Sequence, residues 1–343
     1  MKKKMPTITV VMPVYNVAPY VERCLLSVMG QTWPATECII VDDGSTDDSI
    51  DKCQRLIDGY QGPTRFVILH HSHNRGLSAA RNTGTDAATS DYIYYLDSDD
   101  EITPDCMEKL VAPVTKDDSI EMVLGAYRVD MKPITVMGRR RCIQYVNFLK
   151  DMPVTDLRTN EEVCRWYYKK VRPVCVWNKL LKRTFIKENG LYNKEGRLFE
   201  DTPWTFQLMR CLNHVAFVHQ VTYLYHRNDY SIRAVTNTEK RIMHFGYSFR
   251  EMTEQMVSAE RIDETRRWAF LFGNCYIDAY GNRDYQQFYQ IYRRELSRGR
   301  QYVALGRLTL IHYLGRNKMG RVLFKSTMRV WHLIGRAKEI VIA

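Results

Sequence analysis

The sequence predicts an α/β protein: a mostly parallel sheet flanked by helices, followed by a helical C-terminal region. Three observations lead there. Over roughly the first third of the chain, short apolar runs alternate with helix-length amphipathic segments. The runs are continuously apolar rather than alternating, as strands covered on both faces must be. Beyond Ser231 such runs stop. A chain of 343 residues with 45% hydrophobic content can bury one large core, or one core with a smaller unit appended.

Taken in order, Thr7 to Val14 (TITVVMPV) is the first strand, Tyr20 to Met29 a helix, and Glu37 to Val41 (ECIIV) the second strand. Thr46 is placed to cap a helix running to about Asp58, Phe66 to Leu69 is a third strand, Leu77 to Ala88 a helix, and Asp91 to Leu96 a fourth strand. Such a βαβαβαβ series makes a parallel sheet, and its ligands lie beyond the carboxyl ends of the strands. A helix near Pro104 to Val111 and a strand at Met122 to Ala126 follow, then an irregular basic stretch from Lys132 to Arg141. Next come a helix at Asn160 to Lys169, a strand around Val176 to Leu181, a helix opening at Asp201 to Pro203, and short strands at Val215 to Val218 and Tyr223 to Tyr225. The change of pattern sets a boundary near residue 232, with helical, basic sequence over 233–343.

The net charge of +11 is unevenly placed: from Arg298 onward ten Lys and Arg face a single acid, Glu339, so the body is nearly neutral. A basic end on a near-neutral body points to a local anionic surface rather than to specific nucleic-acid binding. Met319, Val322, Ser326, Val330, Leu333, Ala337 and Ile340 share one helical stripe, opposite Arg321, Lys325, Arg329 and Arg336. That helix either lies in a membrane surface or docks on the first domain with its charges solvated. The nine cysteines lack the spacing of a zinc site and read as free thiols of a reducing compartment. No apolar stretch reaches the roughly 18 residues of a membrane span, and Met1 to Met5 lacks the features of a secretory signal. The expected location is cytoplasmic, or peripheral on the inner face of the cell membrane.

The acids fall in a pattern. Asp42-Asp43-Gly44-Ser45 ends the second strand and Asp97-Ser98-Asp99-Asp100 the fourth, so both clusters belong to one edge of the sheet. A lone Asp-Gly or Asp-Asp after a strand usually turns the chain or caps the next helix, as Thr46 and Asp47 are expected to do. Asp97, Asp99 and Asp100, however, precede no helix before Pro104. Five converging carboxylates repel one another unless a cation sits among them, and Mg²⁺ or Mn²⁺ with diphosphate oxygens as further ligands suits that need.

These residues carry a family resemblance. ITVVMPVYN (Ile8 to Asn16), QTW (Gln31 to Trp33), IIVDDGSTDDS (Ile39 to Ser49), NRGLSAARNTG (Asn74 to Gly84) and YIYYLDSDD (Tyr92 to Asp100) together resemble the inverting family 2 of glycosyltransferases, of the bacterial surface-polysaccharide type. VWNKLLKR (Val176 to Arg183) and EDTPW (Glu200 to Trp204) are similar to the same family's second half. The resemblance implies the Rossmann-like GT-A fold. Residues 1–232 would be the catalytic domain, with a nucleotide-sugar half over about 1–110 and an acceptor half over about 111–232.

It also implies roles. Pro13 and Tyr15 would lie at the nucleotide, with Tyr15 against the base and Asp43 accepting from its imide. UDP is favoured over dTDP only because it is the commoner donor in the family. Asp97 would lie near the ribose and the metal, Ser98 beside it, and Asp99 on the metal, with Asp100 as a helper. Arg75 and Arg81 would contact the donor, although Arg81 on a helix face suits a surface ion pair equally. Asp201 matches the base that deprotonates an acceptor hydroxyl, and its place at a helix start would lower its pKa. Trp177, Asn178 and Glu200 would face the acceptor, although a Trp on an apolar strand is more often a core residue, and His226 and Arg227 lie in a polar segment suited to a lid or a plain linker. The implied partners are a UDP-sugar and a saccharide acceptor, often lipid-linked.

Two rival readings share parts of this pattern. A metal-dependent nucleotidyltransferase would want a glycine-rich, lysine-bearing loop after the first strand, which PVYNVAPY (Pro13 to Tyr20) does not supply. A non-catalytic nucleotide- or carbohydrate-binding protein would have no need of both the acidic cluster and Asp201.

Overall fold

The computed structural model describes residues 5–130, 134–136, 139–141, 144–147, 152–169 and 175–226, with Asn228, Lys240, His244, Tyr247, Ser248, Glu251 and Arg293. The chain divides into two compact units, Met1–Val235 and Thr236–Ala343. In the second, the Ser248 hydroxyl donates to the His244 carbonyl (3.2 Å) and the His244 and Tyr247 rings meet edge to face. The basic stripes over 319–340 lie outside the described residues.

The first unit runs β1 (Ile8–Val14), α1 (Val21–Met29), β2 (Glu37–Asp42), α2 (Ser49–Asp58), β3 (Arg65–His70), α3 (Leu77–Ala87) and β4 (Tyr92–Tyr95). Then follow β5 (Glu101–Ile102), α4 (Cys106–Lys116), β6 (Met122–Asp130), β7 (Ile134–Val136), β8 (Arg139–Arg141) and β9 (Gln144–Asn147). Last come α5 (Asn160–Lys169), β10 (Lys179–Lys182), α6 (Arg183–Glu188), α7 (Asp201–Cys211) and β11 (Val215–His226). The main sheet is ordered β3-β2-β1-β4-β10-β6-β11-β5, with β9 on β6, and β7 pairs with β8.

β3, β2, β1 and β4 are parallel, as their apolar runs require. All seven residues of β1 are buried, because both of its faces are covered. Ile8, Val10, Met12 and Val14 pack with Val21 and Leu25 of α1 and with Leu110 and Val114 of α4. Val11 faces the other way, onto α3. A Cβ on Gly84 would stand 2.4 Å from Val11 Cγ1, so glycine lets α3 lie directly on β1. That close approach also fixes where α3 carries Arg81.

The sheet is mixed rather than wholly parallel. β10 runs antiparallel between β4 and β6, with Leu180 and Leu181 opposite both neighbours, and β5 is antiparallel to β11. Val215–Val218 and Tyr223–Tyr225 are two stretches of one strand, β11, whose register on β6 shifts between Val218 and Val221 and again before Tyr223. Exposed His219 and Gln220 bulge outward there instead of ending the pairing. α2 starts at Ser49 rather than at Thr46. Asp47 turns the chain ahead of it, accepting from Ser49 N–H (3.1 Å) and Ala18 N–H (3.0 Å).

Candidate functional site

β1, β2 and β4 end at one rim, and β2 and β4 flank β1. The acidic turns after β2 and β4 stand on either side of β1, each with its own partners, and among the described residues no three acidic, His or Cys side chains gather where they could hold one ion. The expected single cluster of five carboxylates is therefore two separate groups.

The first group is largely partnered. Gly44 has φ +74°, and a Cβ there would stand 2.9 Å from the backbone of His73 and Asn74, so the turn presses on the loop after β3. Asp43, 2% exposed, accepts from Arg75 N–H (2.8 Å) and Gly76 N–H (2.7 Å), and its Oδ1 lies 2.7 Å from His71 Nδ1. His71 Nε2 in turn meets the Thr83 hydroxyl (2.9 Å). Asp42 accepts from Ser45 N–H (2.8 Å) and lies 2.9 Å from His70 Nδ1. Burial raises the Asp42 pKa, but these bonds outweigh it and leave the pKa below the ordinary value. Beside this turn Tyr15 stands 44% exposed at the end of β1, Pro13 is buried within β1, and the Arg75 guanidinium pairs with Glu195 (3.1 Å). Sequence reasoning missed His70 and His71, although they stand at the end of β3 just as Asp42 and Asp43 stand at the end of β2.

The second group is not balanced. Asp100 is buried and accepts from the Tyr223 hydroxyl (2.7 Å) and His226 N–H (2.7 Å), which makes it a brace for the end of β11. Burial, then the charges of Asp99 and Asp97, push its pKa well up. Asp99 accepts a long bond from the Asn228 amide (3.3 Å), and burial followed by the Asp97 charge raises its pKa to about 6, against that bond, its own backbone N–H and the Arg23 charge. Ser98, between them, is buried.

Arg81 is a buried bridge, not a surface ion pair. It is 2% exposed, and its two terminal nitrogens donate to Asp97 Oδ1 (2.7 Å) and Glu200 Oε1 (2.6 Å). Glu200 immediately precedes α7, whose first residue is Asp201. The helix start does not lower the Asp201 pKa. Burial, then the neighbouring Glu200 charge, raise it to about 7, against the pull of Arg81 and the Thr202 hydrogen bonds. Pro203 and Trp204 anchor the first turn, with Trp204 Nε1 donating to the Leu191 carbonyl (3.1 Å).

Other candidates serve the framework. Asn178, 1% exposed with φ +59°, donates to the Gly125 and Ala126 carbonyls (2.9 and 3.2 Å) and accepts from the Tyr94 and Thr222 hydroxyls (3.2 and 2.7 Å). All four hydrogen-bonding positions of its amide are thus used, and none is left for an acceptor. Trp177 lies just before β10, not on it, stacked on Tyr223 with centroids 4.3 Å apart and edge-on to Tyr127. His226 Nε2 meets Glu101 Oε1 at 2.6 Å, and Arg227 lies outside the described residues. Lys179, which the sequence did not single out, is fully buried, and burial lowers its pKa despite the nearby Cys175 and Asp201.

A hard divalent cation fits the second turn. Asp99 is a partly buried carboxylate whose charge is unfavourable as it stands, and Asp97 adds a second oxygen-rich neighbour. Mg²⁺ or Mn²⁺ sites that bind diphosphates take one or two protein carboxylates and leave other positions to phosphate and water. Among the described residues no three His, Cys, Asp or Glu side chains form a cage.

A mostly parallel sheet with two acidic turns at its rim, and a third acid pair brought beside the second, defines a glycosyltransferase domain of the GT-A kind. The chain belongs to glycosyl transferase family 2, whose profile residues 9–188 match. It is 28% identical over 229 residues to the glycosyltransferase GlyG of Streptococcus pneumoniae, covering 66% of this chain and 72% of that one. It is 27% identical over 231 residues to EpsJ, an uncharacterized glycosyltransferase of Bacillus subtilis, covering 67% and 64%. The crystal structure of S. aureus TarS 1–349 in complex with UDP superposes with a TM-score of 0.59 at 18% identity, covering 97% of this chain and 88% of that one. At that identity the likeness establishes the fold.

Proposed function

We propose that this glycosyltransferase moves a sugar with inversion from a UDP-sugar to a saccharide acceptor, with Asp201 as the base and Mn²⁺ or Mg²⁺ held at Asp99 and Asp97. The observation that carries this is the meeting, through Arg81, of the acidic turn after β4 with the Glu200–Asp201 turn. One can hold a diphosphate, and the other carries a carboxylate able to take a proton near neutral pH. Crystallisation of TarS with UDP supports the same donor nucleotide here.

Tyr15 offers an exposed ring for the base. The remaining lone pair of Asp43 Oδ2 accepts from the uracil imide, while Arg75 N–H and Gly76 N–H hold that carboxylate in place. Asp201 takes the acceptor hydroxyl proton as that oxygen bonds to the anomeric carbon, and the bond from that carbon to the diphosphate breaks on the opposite face, releasing UDP. The cation, when bound, neutralises the charge gathering on the leaving diphosphate.

We assign the nucleotide sugar to residues up to about 110 and the acceptor to 111–232, with the basic sequence over 233–343 touching an anionic membrane surface. Among the described residues no helix is long and apolar enough to cross a membrane. We place the enzyme in the cytoplasm, peripheral on the inner membrane face and acting on a lipid-linked saccharide in surface-polysaccharide assembly. UDP release from a panel of UDP-sugars, with and without Mn²⁺, tests the proposal. Metal-stimulated release that Asp99→Ala abolishes is expected, and no release from any common UDP-sugar by the wild-type chain overturns it.

A further inference from the structure

We infer that Arg81 is a positioning residue: by gripping Glu200 and Asp97 at once, it sets where Asp201 stands relative to the donor. The inference rests on the assignment of Asp201 as the base, and adds a residue that acts through that base.

Two features beyond the ion pair point this way. Phe199, directly ahead of Glu200, has φ +60°, a left-handed conformation that a bulky side chain adopts only when its surroundings impose it. The turn that delivers Asp201 is therefore held rather than relaxed, and the Arg81–Glu200 contact (2.6 Å) is a tie upon it. The second feature is the foundation of Arg81. Its helix lies on β1 through the bare Gly84, and β1 also carries the rim that the donor approaches. A rigid path thus runs from the sheet through α3 to Glu200. Only a planar fork spans two carboxylates in this way, because lysine has one nitrogen and a different reach.

The assay is UDP release from UDP-glucose, UDP-galactose and UDP-N-acetylglucosamine by the full chain, using the sugar it turns over. Glu200→Ala lowers kcat by roughly 100-fold, the cost of misplacing a reacting group by about 1 Å, while the donor KM moves far less. Glu200→Gln keeps an oxygen for Arg81 and recovers at least about tenfold of that loss. Arg81→Lys keeps the charge but not the span, loses kcat comparably, and is not made worse by adding Glu200→Ala. Glu200→Gln as poor as Glu200→Ala, or losses that multiply in the Arg81→Lys/Glu200→Ala double variant, overturn the inference. If Glu200→Ala does not fold, Arg81→Lys against Glu200→Gln decides, and equal kcat overturns it. Asp201→Asn separates the two levels: activity surviving there removes the base, whereas its loss together with multiplying Arg81 and Glu200 losses removes only the tether.

Discussion

The two acidic turns at the rim have similar sequences, Asp42-Asp43-Gly44-Ser45 and Asp97-Ser98-Asp99-Asp100, and opposite electrostatics. At the first, two histidines and three backbone N–H groups meet the carboxylates, and the Asp42 pKa falls. At the second, burial and mutual repulsion raise Asp100 and, in spite of the nearby Arg23, Asp99, while Asp97 is paired with Arg81. Two acids at the first turn and three at the second therefore do different work. A well-partnered turn is a fixed template whose last acceptor position can read a base, whereas an unbalanced one is poised to bind positive charge.

The strongest way to break this contrast is at the acid joined to the second turn. Asp201→Asn is expected to lower kcat by on the order of 10³-fold with little change in donor KM, read by UDP release. The first turn answers through stability instead. Asp43→Ala removes the acceptor for two part-buried backbone N–H groups and a histidine, and urea denaturation is expected to show a loss of about 2 kcal/mol.

Protonation gives a smaller and directional effect. A base must be deprotonated, so with the Asp201 pKa raised to about 7, kcat rises with pH up to about 7 and levels above it. A kcat profile that is flat between pH 5.5 and 7 would remove Asp201 from that role.

The smallest effect carries the sharpest sign. The Asp99 pKa in the folded chain, about 6, exceeds its ordinary value of 3.8, so the folded state holds the proton more tightly. The stability this contributes is full below the ordinary pKa and is lost as pH rises through about 6, which leaves the ionised carboxylate unfavourable. Asp99→Asn is therefore expected to stabilise metal-free protein at pH 8 by on the order of 1 kcal/mol, after discounting for partial exposure. Destabilisation there would show that Asp99 is a structural acid like Asp43.

Legibility in the sequence followed the physics. β1 to β4 show as apolar runs because both faces of each are buried or half-buried, and the resemblance of residues 8 to 100 located the rim. β10 is only Lys179–Lys182, and its antiparallel place between β4 and β6 depends on pairing that no local pattern encodes. Position along the chain revealed which acids share an edge, but not which are neutralised. That depended on His71 meeting Asp43 and on Arg81 reaching Glu200 from another helix. The direction of the Asp201 shift was missed for the same reason: the helix start argues for a lower pKa, and burial with Glu200, both tertiary, overrides it.

The most direct test is the melting temperature of the chain with UDP, with Mn²⁺, and with both. If the turn after β4 grips a cation and through it a diphosphate, UDP and Mn²⁺ together raise the melting temperature by more than their separate effects combined, and Asp99→Ala loses that excess. An equal rise with UDP alone, or an excess that persists in Asp99→Ala, contradicts the account.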